Sequence, residues 1–158
     1  MISFGFLPLD ILIIMIIFSI LFLTSFKTGK KLLVSLIVSI YPTVLIFNSL
    51  PFTSINLNDK TAQAIVFLIF YILVVTILWK NLHVKKYHNT WRKFLDYFLL
   101  TTSYITLVIS IYINSVNSLS VFYNFSEIIT KTISMIPYSA TLIIPIIIIL
   151  LTNRRDLE

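Results

Sequence analysis

The sequence predicts an all-α, polytopic bundle of about five membrane-spanning helices, and three observations predict it. Hydrophobic residues make up 58% of the 158 and charged residues only 11%, where soluble chains carry about 25% charge. The apolar residues fall in long runs divided by short polar stretches, and Lys and Arg concentrate in alternate stretches. Mean hydropathy is +1.00. At about 20 residues per span, five spans take about 100 of the 158 residues and leave no room for an independent soluble domain. Residues 1–158 therefore read as a single integral membrane domain. The absence of cysteine removes disulfides, thiolate nucleophiles and thiolate metal sites. A net charge of +6 raises nucleic acid as a partner, but the charges lie in short clusters between apolar runs. No nucleic-acid partner is expected, and the excess reads as a topology signal.

The first span covers about 7–26, and its centre, 11–23, is broken only by Ser19. Pro8 suits the first helical turn, and Asp10 two residues later faces unsatisfied N–H groups and the positive end of the helix dipole. Neither a basic stretch before this run nor a small-residue cleavage site after it is present, so it reads as a retained span and not a signal peptide. Further spans cover about 32–51 with Pro42 inside, 62–79, 94–113 and 132–152, the last with Pro137 and Pro145. Between the fourth and fifth, Leu119, Phe122, Phe125 and Ile129 recur at spacings of three and four, and Glu127 precedes Lys131 by four. That pattern predicts a short interfacial helix over about 118–131, or alternatively a segment dipping back between the spans.

Positive charge tests this segmentation, because Lys and Arg in short loops accumulate on the cytoplasmic side. Lys27, Lys30, Lys31, Lys80, Lys85, Lys86, Arg92, Lys93, Arg154 and Arg155 fall on one side of the alternation, and only Lys60 and Lys131 on the other. The N-terminus is therefore expected outside and the C-terminus in the cytoplasm, which requires an odd number of spans. Trp79, Tyr87, Trp91 and Tyr97 gather around the large basic loop, where amphipathic rings favour the headgroup region. Lys80, Lys85, Lys86, Trp91, Arg92 and Lys93 are the expected contacts to anionic lipid headgroups.

Few residues are suited to chemistry. Asp10 reads either as a helix-dipole partner or as a proton- or cation-accepting acid at the mouth of a pathway. Asp96 lies one turn beyond Arg92 and Lys93 and is expected to pair with one of them. His83 and His88 stand five apart among lysines, a spacing and charge environment unsuited to a metal. No serine has a histidine base at membrane depth, and two glycines cannot build a phosphate loop. No catalytic, cofactor-binding or metal residue is assigned, and no enzymatic activity is expected. Helix packing is expected at the small-xxx-small pair Ser35 and Ser39, and less at the run Ser139, Ala140, Thr141. The alternative is that those hydroxyls bond the carbonyls of their own helix.

The first two spans resemble the opening of the CvpA, or colicin V production, family of bacterial inner-membrane proteins. The resemblance is carried by Asp10 at the head of the first helix, the hairpin Ser25-Phe26-Lys27-Thr28-Gly29, and the Leu/Ser-rich start of the second helix, Leu32-Leu33-Val34-Ser35-Leu36. Ser25 stands where a first glycine is usual, and family members are described with four spans. The resemblance implies a bacterial plasma-membrane protein associated with toxin secretion or envelope maintenance. The expected function is accordingly non-enzymatic: assembly with itself or with other membrane proteins in export or envelope upkeep. A small ion or solute channel or transporter, and an accessory subunit of a larger membrane complex, are the alternatives.

Overall fold

The structure, a computed structural model, describes residues 9–51, 59–82, 90–116, 123 and 125–154, the side chains of Thr90, Arg92, Asn153 and Arg154 excepted. The described residues form α-helices and no strand: α1 (Leu9–Thr28), α2 (Lys31–Ser49), α3 (Lys60–Asn81), α4 (Thr90–Asn114), α5 (Glu127–Ser134) and α6 (Tyr138–Arg154). The first four are long and apolar enough to cross a membrane. At 1.5 Å per residue, the 25 residues of α4 reach about 37 Å, more than the roughly 30 Å of a hydrocarbon core.

Local chemistry explains where these helices begin and end. Gly29 closes α1 in the left-handed region at φ 87°, and its N–H donates to the Ser25 carbonyl at 2.8 Å. A Cβ at Gly29 would meet nothing within 4 Å. The glycine is required there by backbone conformation and not by space. Lys30 returns to right-handed geometry and leads directly into α2. Asp59 caps α3, its carboxylate accepting from the Thr61 N–H at 3.1 Å.

The largest departure from expectation lies at the last span. The sequence places the change from surface helix to span at 131–132, whereas α5 continues to Ser134 and the chain turns at 135–137. Pro137 is the physical reason, because it has no N–H to continue the ladder and disfavours helical geometry at Ile136. Its carbonyl then accepts from the N–H groups of Ala140 and Thr141, opening α6. α5 and α6 meet the length and composition test only as a pair, bent by 77°. Of the expected segment over 118–131, the structure shows a helix from Glu127 onward, while 118–122 and 124 lie outside the described residues.

α2 and α4 form the centre. α3 packs on α2, α1 packs mainly on α4, and α6 packs on α4 with a lesser contact to α2. Half of α4's apolar window and 44% of α2's are buried, against 11% for α1 and for α3, so the latter two are outer helices. The core is Leu33, Ile37, Ile40 and Phe47 of α2 against Tyr97, Leu100, Leu107 and Ile111 of α4, with Phe67 and Ile149 closing its sides. On both helices these positions are spaced by three, four or seven residues and so share one face. The outer faces of α1 (Leu12, Met15, Ile16, Leu23) and α3 (Ile65, Ile69, Ile72, Leu73) remain exposed and apolar, as suits a hydrocarbon solvent and not water.

Successive long helices run in opposite directions, which sorts the charges. Lys31 lies over the Trp79 ring at 6.0 Å, and Lys93 lies over the Phe26 and Tyr97 rings at 5.6 and 5.8 Å. Lys27, Lys30, Lys31, Lys80 and Lys93 therefore share one end of the bundle, and Asp10, Lys60 and α5 share the other.

Candidate functional site

Asp10 is the centre of the most developed polar arrangement. It sits in the first turn of α1, where the sequence expects a dipole partner, yet its carboxylate does more than face its own helix. One oxygen accepts from the Tyr123 hydroxyl and the other accepts from the Ser126 backbone N–H at 2.6 Å. The carboxylate thus latches the start of α1 to the segment that leads into α5. Immediate neighbours leave Asp10 only 5% exposed, although it lies at the edge of the bundle with little protein beyond that first layer. The Ser126 hydroxyl stands close enough to act on the carboxylate, but Oγ is buried and makes no hydrogen bond of its own. The bond that Tyr123 donates to Asp10, and secondarily its burial, holds the Tyr123 phenol above its ordinary pKa.

Below the latch lies a groove of about 540 Å³ between α1 and α4. Aromatic bulk explains its position. In the basic half, Phe18 meets Phe98, Phe22 meets Phe94 and Phe26 meets Tyr97 with ring centroids 5.1–5.5 Å apart, which holds the two helices together. In the other half α1 presents Ile13, Ile14 and Ile17 to Ile105, Val108 and Ile109. The groove ends at Tyr123 and Phe125.

Mid-depth polar groups tie the helices to one another. The Tyr71 hydroxyl lies 3.3 Å from the Leu36 carbonyl and 2.9 Å from the Tyr104 hydroxyl, joining α3, α2 and α4. Ser110 of α4 meets Thr141 of α6 at 2.7 Å, and the Tyr41 hydroxyl donates to the Leu142 carbonyl at 2.6 Å. Leu142 lies one turn before Pro145, whose missing N–H breaks the ladder of α6. At the basic end, Lys30 is only 2% exposed and its ammonium donates to the Thr152 carbonyl at 3.2 Å, near the C-terminus of α6. A cation is favoured there by the helix dipole.

The expected site residues divide. Ser35 and Ser39 are fully buried, and Thr43 extends their row. Their hydroxyls bond the Lys31 and Leu32, Leu36 and Ser39 carbonyls of their own helix respectively. Ser139 is exposed and Ala140 half-buried. Both lie in the first turn of α6, whereas the next residue, Thr141, turns inward to Ser110 of α4 and is 2% exposed. Of the hairpin residues, Ser25 is buried, Phe26 packs on Tyr97, Lys27 is exposed and Gly29 makes the turn. Trp91 is 80% exposed and Lys80 is exposed. Lys93 is instead folded over two aromatic rings. Lys85, Lys86, His83 and His88 lie outside the described residues, as does the Arg92 side chain. Asp96 is 1% exposed, on a face of α4 turned toward the bundle; of its two expected partners, Lys93 lies over the rings and the Arg92 side chain lies outside the described residues.

Tyr123, Ser126, Lys30 and Thr152 were invisible as partners in the sequence. Only the turn residues around Lys30 and the amphipathic spacing around Phe125 hint at ordered structure there. Among the described residues no group of three His, Cys, Asp or Glu could hold a metal ion. Fold and site together define a helical bundle with apolar outer faces and a carboxylate latch at one end. The chain matches no protein-family model, no curated protein and no solved structure.

Proposed function

We propose that this chain is a five-span membrane protein, with its N-terminus outside and its C-terminus in the cytoplasm, that acts without catalysis by assembling with copies of itself. The bent α5–α6 pair supplies an interfacial helix and the fifth span. The single observation that carries the reading is the contrast between a closed centre and open sides. Between α2 and α4 the core is filled by Leu33, Ile37, Leu100 and Leu107, all 0% exposed, and the hydroxyls beside them bond carbonyls of their own helices. Such a centre supports packing better than passage of ions. α1 and α3, by contrast, each bury 11% of their apolar windows and offer continuous faces to another helix or to lipid.

The resemblance of Asp10, the Ser25 to Gly29 hairpin and the start of α2 to the CvpA family supports a place in the bacterial cell membrane, in export or envelope maintenance. Absence of native cysteine makes the test direct. Met15→Cys on α1 and Ile72→Cys on α3, each 62% exposed in the single chain, are crosslinked in native membranes. Disulfide-linked dimers of the protein at either position are the expected product. Exclusively monomeric protein at both positions, with free thiols accessible to a membrane-permeant reagent, overturns self-assembly through these faces.

A further inference from the structure

The groove and the latch share a residue, since Tyr123 both lines the groove and donates to Asp10. We infer that together they bind one lipid molecule whose headgroup carries a primary ammonium, the ammonium at the Asp10 carboxylate and an acyl chain along α1 and α4. The inference rests on the membrane part of the proposed function and not on self-assembly.

Three observations carry it. The groove, about 540 Å³, falls within the roughly 300–1,000 Å³ of small-molecule sites, and its walls are Ile, Leu, Val and aromatic side chains of two helices apolar enough to span a membrane. Among the described residues, its only hydroxyls come from Tyr104, midway along, and Tyr123, at the mouth. An acyl chain fits such a wall and a polar solute does not.

At the mouth, the carboxylate is held by two neutral donors and makes no ion pair among the described residues. A carboxylate has about four acceptor sites, so both oxygens retain capacity. A carboxylate without a counter-ion at the edge of an apolar medium favours any cation that can reach it.

Beside it, the Ser126 hydroxyl acts on the carboxylate and sits next to the groove-lining Phe125, a second polar group at the junction between the charged mouth and the apolar slot. The specificity follows from the same chemistry. An anionic headgroup is repelled by Asp10. A quaternary ammonium carries the charge but no N–H, whereas a primary ammonium donates charge-assisted hydrogen bonds.

The test uses the full chain in nanodiscs of equal parts phosphatidylethanolamine, phosphatidylcholine and phosphatidylglycerol with matched acyl chains. The lipid retained on release from the disc is identified by native mass spectrometry. Wild type is expected to keep one lipid, with phosphatidylethanolamine favoured over phosphatidylcholine by about tenfold. Asp10→Asn brings that ratio to about one. Asp59→Asn, which removes a carboxylate at the cap of α3 outside the groove and leaves a capping side chain in its place, keeps the preference, so a loss in Asp10→Asn belongs to that carboxylate. Ile17→Trp fills the groove and removes bound lipid of every headgroup. Equal retention of the three lipids by wild type, or a preference unchanged in Asp10→Asn, overturns the site. A monomeric chain that keeps the preference refutes self-assembly alone, and a chain that never enters the discs refutes the membrane reading and the site together.

Discussion

Asp10 acquires its role from partners far along the chain. Alone at the head of α1 it would serve only as a dipole partner, and the Tyr123 hydroxyl and Ser126 N–H convert it into a fastener between α1 and the approach to α5. Lys30 does the reverse at the other end, placing a cation on the last turn of α6. The latch has a pH signature. Hydrogen bonding to Asp10 raises the Tyr123 pKa above its ordinary value of 10.0, so the neutral phenol is the form the folded protein favours. Its contribution is fully present below about pH 10 and is lost as pH rises through the raised folded-state value. Wild type in detergent should therefore lose thermal stability across that window more steeply than Tyr123→Phe. Parallel pH profiles for the two proteins would show that the latch contributes nothing.

Elements end where the backbone requires it. Gly29 closes α1 because a left-handed residue is needed between two helices joined with almost no linker. Since no neighbour crowds its missing Cβ, Gly29→Ala isolates the backbone cost, about 1 kcal/mol of stability. Gly29→Asn should recover part of it, because asparagine tolerates that region better. Denaturant titration in micelles checks the order glycine, asparagine, alanine, and alanine as stable as glycine would sink the account. Pro42, Pro137 and Pro145 behave differently from one another for the same reason. Pro137 ends a helix because a bend is available at a surface. Pro42 and Pro145 stay inside helices, where neighbouring hydroxyls such as that of Tyr41 can satisfy backbone groups near the break.

At the scale of the whole molecule, charge and direction agree. Ten of the twelve Lys and Arg occupy alternate connections and the C-terminal stretch, and the described lysines of that set gather at one end of the bundle. If that end is cytoplasmic, a phosphatase reporter fused after Glu158 stays inactive and a fluorescent one folds. Phosphatase activity there would invert the topology. The same bundle exposes about half or more of Leu12, Met15, Ile65 and Ile72, surfaces that in water would drive aggregation.

Four long apolar helices, their ends to within four residues, and the hairpin at Gly29 were legible in the sequence alone, whereas the expected span over 132–152 is the shorter helix Tyr138–Arg154, joined to α5 by a bend. Run length, proline, glycine and charge act locally, and in an apolar solvent a chain must satisfy its backbone within each helix. Which helices lie at the centre was decided only by tertiary structure, as were the burial of Asp96 and Lys30, the inward turn of Thr141 and the pairing of Asp10 with Tyr123. The physical reason is the near-uniformity of the helices themselves. α1 is apolar around its whole circumference and buries only Asp10 and Ser25, so periodicity carries no contrast between a face toward protein and a face toward lipid. Shape does the sorting instead: the phenylalanines of α1 meet α4 in one half, its isoleucines leave a groove in the other, and the carboxylate of α1 at that end is covered by a tyrosine from a distant segment.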